Sequence, residues 1–312
     1  MRILITGSNG FIGSSLVLRL SVVGHQVFAG VRPGGDRSRL MNMDNITTVE
    51  CDVEDLSSID DAIAEARPDK VIHLATRYAV QHQSQDATRI AMANVVGTIN
   101  LLESIKGHGN IDLINTSSCF VYAPKDAPLV ETDPLSPFNF YALTKLQAEE
   151  ACSYYARQYG TRIVNLRLFP PYGPGDYDRK LIPSFIKAVL SGSAPQLTNG
   201  RQKWDYIHIH DVLDAYEKVI EHFDDIVSEK VETYNIGTGQ ATSVRSIGET
   251  ILEIMGSNIE PHYGALPERT GELFYLCSDI NKVQNKLHWA PRISIHEGLA
   301  SSIEWYKARS ER

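Results

Sequence analysis

Tyr141 and Lys145 stand four residues apart in the chain. On a helix this spacing puts both side chains on one face, so the phenol and the ammonium can serve one site. A free tyrosine titrates near pH 10, and a cation about 4 Å away stabilises its phenolate by roughly 4 kcal/mol at an effective dielectric of 20. The pair predicts a tyrosine that transfers a proton near neutral pH, with Lys145 lowering its pKa.

Hydroxyl side chains follow a short apolar run at Ile111–Thr116, which is typical of a buried strand. Ser117 and Ser118 come directly after it, where a hydroxyl can donate to a substrate oxygen that gains or loses charge. The residues alone leave both serines open as the third member of a Ser/Tyr/Lys site.

A glycine-rich turn lies between the predicted strand Arg2–Thr6 and the predicted helix Phe11–Val23. Its spacing, G-x-x-G-x-x-G, is one residue longer than the usual dinucleotide fingerprint. Glycines let the backbone approach a diphosphate, and a helix N-terminus offers N–H groups and positive potential to it. The turn predicts cofactor contacts from Gly7, Asn9, Gly10, Phe11, Ile12 and Gly13.

The end of the second predicted strand, Gln26–Val31, should read the adenosine ribose of a dinucleotide. NAD is usually held there by an acid, but this chain has Val31 followed by Arg32. A guanidinium matches a 2′-phosphate, which favours NADP(H). Asp36 stands close enough in the sequence to restore NAD(H) binding, so NAD stays open.

Composition and charge exclude several classes of protein. The formal net charge of −8 over 312 residues argues against a general nucleic-acid binder, which needs a basic footprint. The four cysteines are scattered and no His/Cys spacing suits a metal, so we expect free thiols and no metal site. No apolar stretch is long enough to cross a membrane and the N-terminal apolar run is too short for a signal peptide, so we expect a cytoplasmic protein.

Apolar runs and helical patterns alternate along the first half of the chain, which predicts a Rossmann-type α/β fold: a doubly wound parallel sheet with helices on both faces. The alternation breaks after Phe169, which predicts a smaller C-terminal α/β lobe. We expect residues 1–169 plus about 204–238 to form the NAD(P)-binding domain, and about 170–203 plus 239–312 to bind substrate. The other predicted elements are strands Ile46–Glu50, Lys70–Ala75, Arg162–Phe169 and Trp204–His208, and helices Ser57–Arg67, Asn94–Lys106, Tyr141–Tyr159, Leu181–Leu190, Ile247–Met255, Asn281–Leu287 and Ile295–Lys307.

These motifs together resemble the extended short-chain dehydrogenase/reductase family, and specifically its nucleotide-sugar epimerase, dehydratase and 4-ketoreductase branch. The resemblance covers nearly the whole chain. Besides the glycine turn and the Y-x-x-x-K pair, it rests on the segments Val71–Ala75, Asn94–Glu103, Tyr172–Gly175, Tyr234–Gly239, Pro267–Glu272 and Leu287–Pro291.

The resemblance implies roles for individual residues. Aligning Val121-Tyr122 with the family's Val-Tyr pair puts Ser118 at the catalytic position, with Ser117 as the fallback. It also implies a nucleotide-diphosphate sugar as substrate and a homodimer through helices 94–106 and 141–159. The remaining implied contacts are Asp52 and Val53 at the adenine edge, Leu74 and Ala75 under the cofactor, Asn94 as a prop of the catalytic region, Cys119 beside the substrate and Arg269 on the substrate diphosphate.

Departures from the family pattern narrow the reaction. Dehydratases of the branch carry Asp-Glu after the catalytic hydroxyl and decarboxylases carry Glu, whereas this chain has Cys119-Phe120. Pro170-Pro171 replaces the usual Asn before the Tyr-Gly-Pro turn, and Trp204-Asp205 the usual Arg-Asp. We therefore expect NADPH-dependent reduction of the C4 keto group of a nucleotide-linked 4-keto-6-deoxysugar. The alternatives are an NAD-dependent nucleotide-sugar 4-epimerase and, against the evidence of the intact Ser/Tyr/Lys set, a non-catalytic NADP-binding sensor.

Overall fold

The strand β1 (Arg2–Thr6) begins almost at the first residue, and Ile3, Leu4 and Ile5 in it are fully buried. Alternate residues of a strand point to opposite faces, so burial of consecutive side chains means that both faces of this strand are covered. The computed structural model describes residues 1–41, 43, 46–79, 82–225, 231–268 and 271–310.

Strands and helices then alternate as the sequence predicts for the first half of the chain. The elements are α1 (Phe11–Val22), β2 (Gln26–Val31), β3 (Ile46–Glu50), α2 (Leu56–Ala66), β4 (Lys70–His73), α3 (Ser84–Ala91), a π-helical segment (Met92–Val96), α4 (Gly97–His108), β5 (Asp112–Ser118), α5 (Phe140–Tyr159) and β6 (Ile163–Leu168).

The second half of the chain contains shorter elements. They are β7 (Pro171–Tyr172), α6 (Leu181–Leu190), β8 (Gln196–Leu197), β9 (Lys203–Asp205), β10 (Ile207–His208), α7 (Ile209–Glu221), β11 (Val231–Ile236), β12 (Ala241–Ser243), α8 (Val244–Met255), β13 (His262–Tyr263), β14 (Tyr275–Leu276), α9 (Asn281–Leu287) and α10 (Ile295–Ser310).

The main sheet has seven strands in the order β11-β6-β5-β4-β1-β2-β3. Pairing is parallel between β1 and both of its neighbours, and Thr6 at the end of β1 lies opposite Gly30 of β2 and His73 of β4. The carboxyl ends of these strands therefore meet at one edge, and strand order reverses beside β1, which is where such sheets bind ligands. This architecture confirms the predicted Rossmann-type fold class.

Three helices cover one face of this sheet through a continuous apolar cluster. Ile59 of α2, Leu101 of α4 and Cys152 of α5 are fully buried in it together with Leu4 and Val71 of the strands. Burying side chains of this size contributes about 1.5–3 kcal/mol each, so the cluster holds α5 firmly against the sheet.

The chain divides into two compact units. Unit 1 comprises 1–123, 133–167 and 216–234, and unit 2 comprises 124–132, 168–215 and 235–312. The segment predicted to return to the cofactor domain, about 204–238, is thus divided. Its first part stays in unit 2 because β9 pairs with β12 and β14, and β10 pairs with β7.

Unit 2 has its own apolar core, in which Phe185 of α6, Ile251 of α8 and Leu299 of α10 pack together. The predicted strand Trp204–His208 is wrong in its extent. The chain leaves one small sheet after Asp205, joins another at Ile207 and begins α7 at Ile209. Within the residues that the structure describes, no helix is both long and apolar enough to cross a membrane.

Candidate active site

The glycine turn after β1 is packed too closely for side chains at two of its three glycines. Gly7 has φ +68°, and a Cβ there would lie 2.7 Å from the Ala75 nitrogen; a Cβ on Gly13 would lie 2.3 Å from the Gly7 oxygen. Gly10 is the N-cap of α1 and no side chain caps the helix there. Uncapped first-turn amides form the kind of cradle that a dinucleotide diphosphate fits.

The loop after β2 is joined to the glycine turn through Asn9, whose Nδ2 donates to the Asp36 carbonyl oxygen at 2.8 Å. Val31 at the end of β2 is buried, and Arg32 after it is exposed. The Asp36 carboxylate accepts from the nitrogen and the hydroxyl of Ser38, at 2.8 and 3.0 Å, and these bonds lower its pKa. The acid in this loop therefore already serves as a turn cap.

The predicted adenine-edge pair follows β3. The Asp52 carboxylate accepts from the Glu54 nitrogen at 3.0 Å, and the Asp52 nitrogen donates to Ser58 Oγ at 2.9 Å. Val53 is buried against α4, where a Cβ on Gly97 would lie 2.8 Å from its methyl group. Both residues shape the turn at the carboxyl edge of the sheet.

The loop after β4 is held to β1 through Thr6. The Leu74 nitrogen donates to the Thr6 carbonyl at 3.2 Å, and the Ala75 nitrogen donates to Thr6 Oγ1 at 3.2 Å. Thr6 Oγ1 also shares a hydrogen bond with buried His73 at 2.8 Å. Burial lowers the pKa of His73 to about 3, with a smaller contribution from Lys145, so its ring is neutral.

Tyr141 is the second residue of α5. The Asn139 side chain caps this helix by accepting from the Ala142 nitrogen at 2.8 Å. The tyrosine is 7% exposed. The hydroxyls of Thr76 and Ser118 lie near the Tyr141 hydroxyl, and the Tyr141 ring meets Tyr78 edge-on at 5.0 Å between centroids.

Burial raises the pKa of Tyr141 because it disfavours the phenolate, and nearby Tyr78 and Cys119 act in the same direction. The nearby hydroxyls of Thr76 and Ser118 act to lower this pKa, because a hydroxyl can donate to a phenolate. The expectation that Lys145 brings this pKa down towards neutrality is wrong for the described structure, because the cost of desolvating the phenolate is the largest effect on the pKa.

Lys145 lies one turn further along α5 and is buried. Its Nζ donates to the Thr116 carbonyl at 2.8 Å, at the end of β5. Burial lowers its pKa to about 8, although Cys152 and Glu149 act to raise it. A pKa near 8 leaves the side chain mostly cationic at pH 7 and able to give up its proton at slightly higher pH.

The two serines at the end of β5 point to different partners. Ser118 Oγ lies near the Tyr141 hydroxyl and accepts from the Phe120 nitrogen at 3.2 Å. Ser117 Oγ instead donates to the Glu149 carboxylate. The structure thus brings Ser118, and not Ser117, to the tyrosine.

Asn94 joins the loop after β4 to α5 through hydrogen bonds of both its amide oxygen and its amide nitrogen. Its Oδ1 accepts from Thr76 Oγ1 at 2.9 Å and from the Arg77 nitrogen at 2.8 Å. Its Nδ2 donates to the Arg77 carbonyl at 3.2 Å and to Thr144 Oγ1 at 3.0 Å. Asn94 lies in the π-helical segment, a type of widened turn that is frequent at functional sites.

Sequence reasoning missed Thr76, Glu149 and Arg167. Thr76 follows directly on the predicted strand Lys70–Ala75, and that position was the available signal. Glu149 stands four residues after Lys145 on the same helix, but nothing local marks its partner Arg167. All three lie in unit 1 with Ser118, Tyr141 and Lys145.

Cys119 and Arg269 are the other residues predicted to contact the substrate. Cys119 is buried close to Tyr141. Arg269 lies outside the described residues. Among the residues that are described, no group of three or more His, Cys, Asp or Glu side chains is arranged to hold a metal ion.

A doubly wound parallel sheet with a glycine turn after β1 and a serine, tyrosine and lysine beside β5 defines a class of NAD(P)-dependent oxidoreductases, the short-chain dehydrogenases/reductases. Within that class, residues 3–237 match the model of the NAD dependent epimerase/dehydratase family, and the chain belongs to this family. The family suggested by the sequence motifs is thereby confirmed.

Similar proteins extend over the whole chain. The dTDP-glucose 4,6-dehydratase of Mycolicibacterium smegmatis is 31% identical over 99% of this chain and 94% of its own length. The structure of the Thermotoga maritima UDP-glucose 4-epimerase with UDP-glucose has a TM-score of 0.90 and 29% identity, covering 99% of this chain and 100% of that one. MoeE5 in complex with UDP-glucose and NAD has a TM-score of 0.89 and 29% identity, covering 100% of both chains.

Proposed function

We propose that this protein reduces the C4 keto group of a nucleotide-linked 4-keto-6-deoxysugar with NADPH. The observation that carries the cofactor choice is the end of β2, where Val31 is buried, Arg32 is exposed and the Asp36 carboxylate is bonded to Ser38. The acid of the described loop, Asp36, is already bonded to Ser38 and so does not serve a ribose 2′-hydroxyl. The exposed Arg32 guanidinium can instead bind a 2′-phosphate.

The residues at the carboxyl edge of unit 1 suit a dinucleotide. The glycine turn and the first turn of α1 would hold the diphosphate, Arg32 the 2′-phosphate, and Asp52 and Val53 the adenine edge. Leu74 and Ala75 would lie under the nicotinamide half, with Lys145 binding its ribose. When bound, NADPH supplies the hydride that is added to the sugar C4.

Tyr141 is the proposed general acid, because its hydroxyl stands beside Ser118 at the end of β5. As hydride reaches C4, the developing O4 anion takes the Tyr141 proton and leaves a phenolate, which regains a proton from solvent. Ser118 would donate to the same oxygen and polarise the carbonyl. The cation of Lys145 would favour the phenolate electrostatically.

The neighbours of Ser118 support reduction rather than elimination. Loss of water from a sugar needs one group to remove a carbon-bound proton and another to protonate the departing hydroxyl. The next two residues are Cys119 and Phe120, both buried, and neither is an acid. We infer that the keto sugar reaches this enzyme ready-made, and that Arg269 binds its diphosphate.

A second candidate is NAD-dependent 4-epimerisation of a nucleotide sugar. The similarity to the Thermotoga maritima UDP-glucose 4-epimerase over the full length of both chains favours it. An epimerase returns the same hydride to its own intermediate, so it needs a cofactor retained through every turnover. A reductase must exchange its cofactor each time.

The deciding experiment follows NADPH absorbance with 4-keto-6-deoxyhexoses linked to dTDP, UDP, CDP and GDP. We expect stoichiometric NADPH consumption with one of these compounds, and none with the corresponding free sugar. If the protein instead interconverts UDP-glucose and UDP-galactose without added cofactor, the reductase assignment is wrong and the epimerase assignment stands.

We also propose that α4 and α5 form a homodimer interface. Ile99 on α4 and Leu143, Tyr154 and Tyr159 on α5 are between 37% and 48% exposed, so both helices present large apolar side chains on the side that does not pack on the sheet. Light scattering of the purified protein should give twice the chain mass of 34.7 kDa. A Leu143→Glu, Tyr154→Glu variant that stays dimeric would show that this surface is not the interface.

A further inference from the structure

An ion pair joins two loops at the carboxyl edge of the main sheet, and the proposed mechanism gives it no part. Glu54 lies in the turn after β3 and Arg77 in the loop after β4. The Arg77 Nε and Nη2 both donate to Glu54 Oε1, each at 3.3 Å. Strands β3 and β4 are separated in the sheet by β1 and β2. The pair therefore connects the loops that flank the ends of these two strands.

The two loops belong to different halves of the sheet. A doubly wound sheet is built from two halves of three strands each, and a dinucleotide lies across the crevice where the strand order reverses. Glu54 follows the last strand of the first half, and Arg77 follows the first strand of the second half. Because the glycine turn and the loop after β2 lie in the first half, the adenosine end of the cofactor belongs there, beside Asp52 and Val53.

Both loops are held by the same stretch of helix. Asn94, in the π-helical segment, donates to the Arg77 carbonyl at 3.2 Å and accepts from the Arg77 nitrogen at 2.8 Å. Asn100, on α4, donates to the Val53 carbonyl at 3.1 Å. The backbone of each loop is thus fixed without the ion pair. Breaking the pair should release the two side chains and leave the loops in place.

The pair is weak enough to open and close repeatedly. The Arg77 and Glu54 side chains are 39% and 31% exposed, whereas those of Arg167 and Glu149 are nearly buried. Ion pairs near the surface change an equilibrium by up to about fivefold. A link of this strength can delay the departure of a ligand without trapping it.

We propose that Glu54 and Arg77 are positioning residues that form a rim around the adenine end of the dinucleotide and slow its release. The inference rests on the proposed adenine contact of Asp52 and Val53. It goes beyond that contact by assigning part of the hold on the adenosine to a link between the two halves of the sheet. It applies equally to NADP(H) and NAD(H), because both contain the same adenine.

The test separates the two halves of the cofactor. The competitors 5′-AMP and nicotinamide mononucleotide are titrated against bound NADH, whose fluorescence reports displacement. Glu54→Gln and Arg77→Gln each break the pair, and the double variant Glu54→Arg, Arg77→Glu rebuilds it with the charges exchanged. Both single variants should weaken 5′-AMP binding by about two- to fivefold and leave the mononucleotide unchanged, and the double variant should recover 5′-AMP binding.

Release of NADH is measured by a stopped-flow chase with the same proteins. It should be faster in the two single variants by the same factor, since changes of affinity at one site act mainly through the dissociation rate. Arg19→Gln is the matched control, because Arg19 forms a partly exposed pair with Glu217 at 2.8 Å in the same unit. It should leave both affinities and the release rate unchanged.

Four results would overturn the rim. Equal losses for the two competitors would assign the effect to a loosened unit 1. Opposite changes in Glu54→Gln and Arg77→Gln would assign it to net charge, and a double variant as weak as the single ones would assign it to the separate side chains. Binding of 5′-AMP that no variant alters would remove the rim and leave the proposed adenine contact standing. If 5′-AMP does not displace NADH from the unaltered protein, the adenine contact and the rim both fall.

Discussion

Glu149 on α5 and Arg167 on β6 form a two-point ion pair beneath the candidate site. The Arg167 Nε and Nη2 donate to the two carboxylate oxygens at 3.0 and 2.7 Å, and both side chains are more than nine-tenths buried. Ser117 donates to the same carboxylate. The pair therefore ties the catalytic helix to two neighbouring strands, at the level of Ser118 and one turn beyond Lys145.

Removing one member of this pair should destabilise unit 1. Arg167→Met leaves the Glu149 carboxylate buried without its counter-charge, which costs about 3–5 kcal/mol of the free energy of unfolding. Urea unfolding measures it, and the double variant Glu149→Gln, Arg167→Met should recover part of the loss. Asp178→Asn, which breaks the exposed pair with Lys187 at 2.7 Å, is the control and should cost less than about 1 kcal/mol. If Arg167→Met and Asp178→Asn lower the free energy of unfolding equally, the buried pair has no structural role.

Tyr141→Phe should reduce turnover about a hundredfold or more, because a positioned acid/base group is lost. Cofactor affinity should change little, since the phenol is expected to contact the substrate oxygen. The matched control is Tyr159→Phe, an exposed tyrosine at the end of the same helix. Steady-state rates and cofactor titrations of the three proteins check this, and a Tyr141→Phe enzyme with ordinary turnover removes the residue from the mechanism.

Arg32→Ala should weaken NADPH binding by about 2–3 kcal/mol, the value of a charge-assisted pair, and leave NADH binding nearly unchanged. Arg37→Ala is the control, because Arg37 lies on the same loop but pairs with Glu50 at 3.8 Å. Both cofactors are titrated against all three proteins. If Arg32→Ala weakens NADPH and NADH binding equally, or if only Arg37→Ala weakens NADPH binding, Arg32 does not contact the 2′-phosphate.

His73 should make stability depend on pH. Its pKa is about 3 in the folded protein and 6.5 when unperturbed, so the unfolded chain takes up a proton first. Stability from this group is complete above pH 6.5 and is lost as the pH falls towards 3; by pH 5 the loss is about 2 kcal/mol. His73→Gln should show a smaller loss of unfolding free energy between pH 7.5 and 5 by that amount. Identical pH dependence in the two proteins would mean that His73 is not held neutral.

Most of the order of elements in unit 1 could be predicted, because the strands β1, β2, β4, β5 and β6 are almost wholly buried and therefore appear as short apolar runs. Helix α3 (Ser84–Ala91) escaped prediction because it is only eight residues long and Ile90 is its one large apolar residue, the others on that face being Ala87 and Ala91. Helix α7 was hidden because Ile207 and Ile209 alternate with histidines as in a strand, although they belong to different elements.

The candidate site was predictable where its members form a local motif. Tyr141, Lys145 and the glycine turn have fixed spacings, and the choice between Ser117 and Ser118 needed only the family's alignment. The partner of Glu149 and the hydrogen bonds of Thr76 were not predictable, because they depend on side chains 18 residues apart in sequence in each case, Arg167 for Glu149 and Asn94 for Thr76. The pKa of Tyr141 was misjudged for a related reason, since burial is a property of the fold and not of the spacing.

The widened turn at Met92–Val96 has a consequence for anyone who edits this gene. Removing a single codon from that stretch would let the backbone relax into an ordinary α-helix, which is the more stable form. A π-turn holds one residue more than an α-turn over about the same rotation, so the excision would leave the flanking helices nearly in place and would change the direction in which the side chains of the widened turn itself point. The Asn94 amide would then leave Thr76 and Thr144 behind. A one-residue deletion here should therefore give a well-folded protein that has lost its catalytic geometry, a phenotype that substitutions in the same stretch would not reproduce.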